Sequence, residues 1–222
     1  LETIFIILLI ALPVGVFIAL MVRAEKKRRL EWMAKSLELD LKYQASELGF
    51  DRRFAAFKLF NQGHSRQAKN ILSGVQRGSE VILADYYYTT GSGKNSHTHA
   101  QTVCILRSPE LDIPHCFLRR QNRVLDFLGK LFGGQDINFT SDPEFSKTFV
   151  LQGCDEEATA KLFSPEVRQH FMSFGDTGIQ FEGLGDTLVL HFGRKIKPEQ
   201  VHTLLEQAFS MHDLFARRHG ID

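Results

Sequence analysis

Residues 3–22 read TIFIILLIALPVGVFIALMV, 20 positions without a charged side chain. At about 1.5 Å per helical residue, this run matches the ~30 Å hydrocarbon layer of a bilayer. It predicts a transmembrane helix, with residues 1–23 as the anchor. A secretory leader carries its positive charge ahead of an apolar run of about 7–15 residues, whereas here the run is longer and the charge follows it. Pro13 in mid-span is compatible with a membrane helix, where neighbouring groups satisfy the freed carbonyl.

After the span, Leu30, Met33, Ala34, Leu37, Leu41, Ala45 and Leu48 recur at threes and fours. Glu25/Arg29, Glu31/Lys35 and Glu38/Lys42 set acid before base at i, i+4, which supports a helix. A juxtamembrane helical stalk over 24–48 follows. Its apolar stripe either docks on the chain's own domain or joins two copies as a homodimer; at about two and a half heptads it is short for a coiled coil, which favours docking.

Beyond Gly49 the period changes. Asp51 is placed to cap a helix over 52–62 that turns Phe54, Phe57 and Phe60 to one side. Strand-like alternation then covers 69–75, 80–89, 98–107 and 115–119, punctuated by Gly74, Gly78, Gly91, Gly93, Pro109 and Pro114. A helix is predicted over 122–132, strands over 137–139 and 147–151, and helix starts at Asp155 and at Ser164-Pro165-Glu166. Ile179 and Phe181 alternate with polar residues before a turn at 183–186, and Leu188, Leu190 and Phe192 alternate in return, a hairpin signature. Over 198–218 a stripe of Val201, Leu204, Leu205, Ala208, Phe209, His212 and Phe215 predicts a helix lying across a sheet. Grouped rather than alternating elements indicate an α+β domain over 49–222, a mostly antiparallel sheet packed with helices.

Composition and charge sharpen this picture. With 43% hydrophobic and 24% charged residues and 19 Phe, the chain carries the material for a large core. Arg23, Lys26, Lys27, Arg28 and Arg29, with Glu25 among them, put a net +4 directly after the span; a total of +1 leaves −3 elsewhere. The cluster therefore reads as a membrane-surface feature, and positive-inside bias puts the N-terminus outside and the domain in the cytoplasm, at the inner membrane of a cell. A body with no basic excess is not built to grip nucleic acid. Cys104, Cys116 and Cys154 are odd in number and lack paired spacing, consistent with reduced thiols.

Candidate chemistry is sparse. Tyr88 stands where a phosphate loop ending in Gly93-Lys94 needs glycine, and Asn95 where it needs Ser or Thr, so the stretch before His97 reads as a polar connection between strands. His97 and His99 would point the same way on a strand. They are two of the ligands a metal needs, and the His115-Cys116 pair is a further source. Asp85 and Tyr87 fall on one face of their strand, Tyr86 and Tyr88 on the other, a structural pattern. Cys104 sits in the apolar run 103–106 as a small hydrophobe. No Ser or Cys is recognisable in a strand-to-helix turn. Asp155-Glu156-Glu157 suits a helical first turn, and Arg119, Arg120 and Arg123 form a basic group suited to solvent or lipid headgroups.

Asn70 to Gly74, Ala84 to Tyr88, Asp136-Ile137-Asn138-Phe139, Pro143 to Ser146 and Leu151-Gln152-Gly153-Cys154-Asp155-Glu156-Glu157 together carry a family resemblance. The chain resembles, over nearly its whole length, a group of uncharacterised bacterial proteins with a single N-terminal membrane span. The resemblance implies no activity, catalytic residue or cofactor. It implies an acidic residue after Phe117-Leu118-Arg119, where this chain has Arg120-Gln121. The functional expectation is a non-catalytic domain tethered through residues 3–22, binding a protein partner as an accessory or assembly component of a membrane complex. A membrane-surface enzyme using a metal near His97 and His99, or a lipid-headgroup module, is the alternative.

Overall fold

Strict alternation builds one large sheet. Strands β1 (Lys42–Glu47), β2 (His64–Gln76), β3 (Ser79–Thr90), β4 (His97–Arg107), β5 (Ile113–Arg120), β6 (Phe149–Gly153), β7 (Gln180–Gly185) and β8 (Thr187–His191) form an 8-stranded sheet in the order β1-β2-β3-β4-β8-β7-β5-β6. All its pairings are antiparallel. The computed structural model describes residues 2–121 and 136–216, with side chains from Pro13 onward. The helix predicted over 122–132 lies outside them. The fold is α+β.

Tight turns fix the register. Arg77 and Gly78, both at positive φ, make the two-residue link between β2 and β3, and Gly185 at φ 55 opens the link between β7 and β8. Such primed turns match the twist of paired strands.

The two faces of the sheet bury different material. In β3, Val81 and Leu83 face the larger core, built with the second half of α1 (Glu2–Glu38), α3 (Pro143–Thr148), α4 (Glu156–Leu162), α5 (Pro165–Ser173) and α6 (Val201–Ala216). Ile82, Ala84, Tyr86 and Tyr88 face a smaller aromatic core of Phe50, Phe54, Phe57 and Phe60. The predicted stripe of α6 is buried as expected, from Val201 to Phe215. Asp155 caps α4 by accepting from the Ala158 amide at 2.9 Å, and Ser164 caps α5, as their sequence contexts predict.

Four expectations are corrected. The α1 helix ends at Glu38, and β1 occupies most of the remainder of the expected 24–48 stalk. Asp40 adopts φ 50 and Leu41 N–H donates to Ser36 O at 2.9 Å, a left-handed helix stop made without glycine. The helix expected over 52–62 is broken into α2 (Phe50–Arg53) and a 3-10 turn at Lys58–Asn61. There the Lys58 amide donates to the Glu182 carboxylate instead of continuing a helix. The strand expected at 147–151 starts at Phe149, because Asp142 caps α3 ahead of it. No strand forms over 137–139, where Ile137 N–H reaches Leu151 O but the Phe139 amide goes to Ser146 Oγ.

Candidate functional site: the helix junction and the sheet edge

The N-terminal helix is bolted to the sheet by a charge pair. Arg28 donates from Nε and Nη2 to the two oxygens of Asp85 at 2.7 and 2.6 Å, and from Nη1 to Ile196 O at 2.9 Å. Asp85, on β3, is fully buried and also accepts from Thr102 Oγ1 at 2.9 Å and Asn70 Nδ2 at 3.0 Å. Burial pulls the Arg28 guanidinium down, but the hydrogen bond and charge of Asp85 outweigh it and leave it above its ordinary value. One and two turns further on, Trp32 and Ser36 are buried on the same side of α1, followed by Leu39 just past its end. Arg28 is thus a structural residue of the domain and not part of the exposed basic row. Arg23, Lys26, Lys27 and Arg29 stay exposed.

Above this junction α1 stands clear of the domain. Val14, Val16, Phe17, Ile18, Leu20, Met21 and Val22 are each 51–63% exposed, so over this stretch the helix is uncovered on all sides. Among the described residues no helix is long and apolar enough to cross a membrane; the first twelve residues of the chain lie outside the described side chains. Lower down, Leu30, Met33 and Leu37 face outward on α1, while Trp32 and Ser36 face in. The helical part of the stripe expected to dock on the domain is therefore uncovered, whereas Leu41, past the end of α1, is buried.

The remaining sequence candidates scatter. His97 and His99 are exposed on one face of β4; His99 stacks on Tyr88 with ring centroids 4.7 Å apart and pairs with Thr90 Oγ1 at 2.8 Å. Among the described residues no group of three His, Cys, Asp or Glu is placed to hold a metal. Gly93–Asn95 is a 3-10 turn joining β3 to β4, with no helix behind it. Cys104 and Cys116 are fully buried and burial pushes both thiols up. Arg120 pairs with Asp176 at 2.6 Å, and Arg123 lies outside the described residues.

A second polar cluster joins groups that sequence reading kept apart. Glu182, 3% exposed, accepts from the Lys58 amide at 2.9 Å and from His115 Nε2 at 3.1 Å. Burial pushes its carboxyl up; the Lys58 and Leu59 amides and His115 work the other way. Lys58 itself is pulled down to about 8 by burial, with Glu182 opposing. On the far side of the imidazole, Nδ1 lies 3.8 Å from Cys154 Sγ, which is exposed. Cys154 occupies the turn between β6 and α4, correcting the expectation that no cysteine sits in a strand-to-helix turn. The clue was a Gly-Cys-Asp run in which Asp155 is a helix cap.

No protein-family model matches the chain, and no curated protein matches it. Among solved structures it is similar to the crystal structure of the mycobacterial trehalose monomycolate transport factor A, TtfA. The likeness has a TM-score of 0.56 at 11% identity and covers 86% of this chain and 92% of that one, a likeness of fold.

Proposed function

We propose that this chain is a non-catalytic accessory component of a membrane transport or assembly complex, held at the bilayer by residues 3–22 with its α+β domain in the cytoplasm. The observation that carries the reading is the uncovered apolar stretch of α1 from Val14 to Val22, continuous with a stretch that is locked into the sheet through Arg28 and Asp85. A helix apolar all round is stable only when lipid or protein surrounds it. Four exposed basic residues, Arg23, Lys26, Lys27 and Arg29, follow the span, as a cytoplasmic flank requires. The fold is that of a protein described as a transport factor, which supports an accessory role in moving cargo at a membrane. The outward stripe of Leu30, Met33 and Leu37 is the surface offered to a partner helix, from another membrane protein or from a second copy.

Deleting residues 3–22 tests the tether. The intact chain fractionates with membranes and resists extraction by high salt, whereas the shortened one moves to the soluble fraction with its fold intact. A full-length chain that dissolves freely on cell breakage, or a domain digested by protease added outside intact cells, overturns the proposal.

A further inference from the structure

We propose that Cys154, with His115 and Glu182, is a thiol–disulfide exchange site that takes up a small-molecule thiol as a mixed disulfide. The argument is independent of the tether. Glu182 accepts from a backbone amide with both oxygens, so it meets His115 Nε2 as an acceptor and holds the imidazole proton there. That tautomer leaves the Nδ1 lone pair toward Cys154 Sγ, 3.8 Å away. Sulfur attacks as the thiolate, and the imidazole is the group that removes its proton.

The backbone selects the chemistry. Acyl transfer needs N–H donors aimed at a developing oxyanion. Here the Cys154 amide is donated to His115 O at 3.0 Å, and Asp155 takes the Ala158 amide at 2.9 Å. Attack on a disulfide has no oxyanion to stabilise, because its negative charge departs on the expelled sulfur. The Sγ proton passes to His115 Nδ1, Sγ bonds to one sulfur of the small disulfide, and the S–S bond breaks. The expelled thiolate takes the proton from Nδ1 and leaves as a free thiol. Cys154 is oxidised and the small disulfide reduced, so electrons balance without another agent. A small thiol reverses the step, which suits a reducing compartment.

The test uses the full chain in mild detergent with oxidised glutathione, following the adduct by intact mass and peptide mapping. Near neutral pH the adduct forms on Cys154 about tenfold faster than in His115→Gln, and the gap closes in alkali, where thiols ionise unaided. Cys104 and Cys116 stay unmodified in the folded chain. A peptide spanning 151–157 serves as a second reference that needs no folded variant. Equal rates for the chain and either reference near neutral pH, or modification of a buried cysteine first, overturn the proposal.

Discussion

Asp85 is a carboxylate with no solvent exposure, held by Arg28, Thr102 and Asn70. Desolvating a charge costs several kcal/mol unless its partners are in place, so the pair contributes more to holding α1 in one position than to net stability. Arg28→Ala leaves the carboxylate buried and unpaired. It is expected to destabilise the chain by about 3–5 kcal/mol, with Arg28→Ala/Asp85→Asn recovering part of the loss because the stranded charge is gone. Thermal unfolding of the intact chain in mild detergent measures both; an Arg28→Ala variant as stable as the parent refutes the bolt. Strand alternation made the sidedness of Asp85 and Tyr87 legible. The partner was not, because Arg28 is 57 residues away and shares its basic run with four residues that do stay exposed. Glu182, His115 and Cys154 were hidden for the same reason, each coming from a different strand or turn.

At the scale of elements, capping chemistry decided what could be foreseen. Helices announced by Asp155 and by Ser164-Pro165 formed where predicted, and so did the hairpin of β7 and β8. The helix stop at Asp40 had no glycine to announce it, and α3, capped by Asp142, is only 6 residues long with Phe145 as its one buried side chain, too short to show a helical stripe. The consequence falls on the boundary between the exposed part of α1 and the domain. Trp32, Leu39 and Leu41 are buried in the main core, and β1 pairs with β2 from Lys42 to Glu47. Fully burying one such large side chain stabilises a fold by about 1.5–3 kcal/mol. A chain beginning at Arg23 should therefore fold, whereas one beginning at Gly49 loses three core side chains and exposes β2 as a raw edge. Circular dichroism and limited proteolysis compare them. A cooperative, protease-resistant fragment starting at Gly49 would restore 24–48 to the status of a separate stalk.

The whole molecule has a direction that local pattern could not supply, because β4 lies beside β8 and β5 beside β6 and β7, pairings that bridge distant parts of the chain. Along α1, Arg28 sits over the middle of β3, and Leu39, just past the helix end, accepts from Gln76 at the close of β2. The helix thus runs toward the turn between β2 and β3 and leaves the domain, going back along it, toward the opposite end of the sheet. That end carries the connection from β3 to β4, with Ser92 and Lys94 exposed at its tip. From His97 to Arg107, β4 spans roughly 33 Å at about 3.3 Å per residue, so its two ends would lie at very different distances from a bilayer entered by α1 as proposed. Spin labels at Ser92 and at Arg107, each in a chain with Cys154→Ser, measure that difference through relaxation by lipid-borne paramagnets in reconstituted vesicles. The Ser92 label should be strongly relaxed and the Arg107 label nearly unaffected. The reverse order, or equal relaxation at both sites, would mean that the helix bends away where it leaves the sheet, and that the hairpin of β3 and β4 is not the part of the domain presented to the membrane.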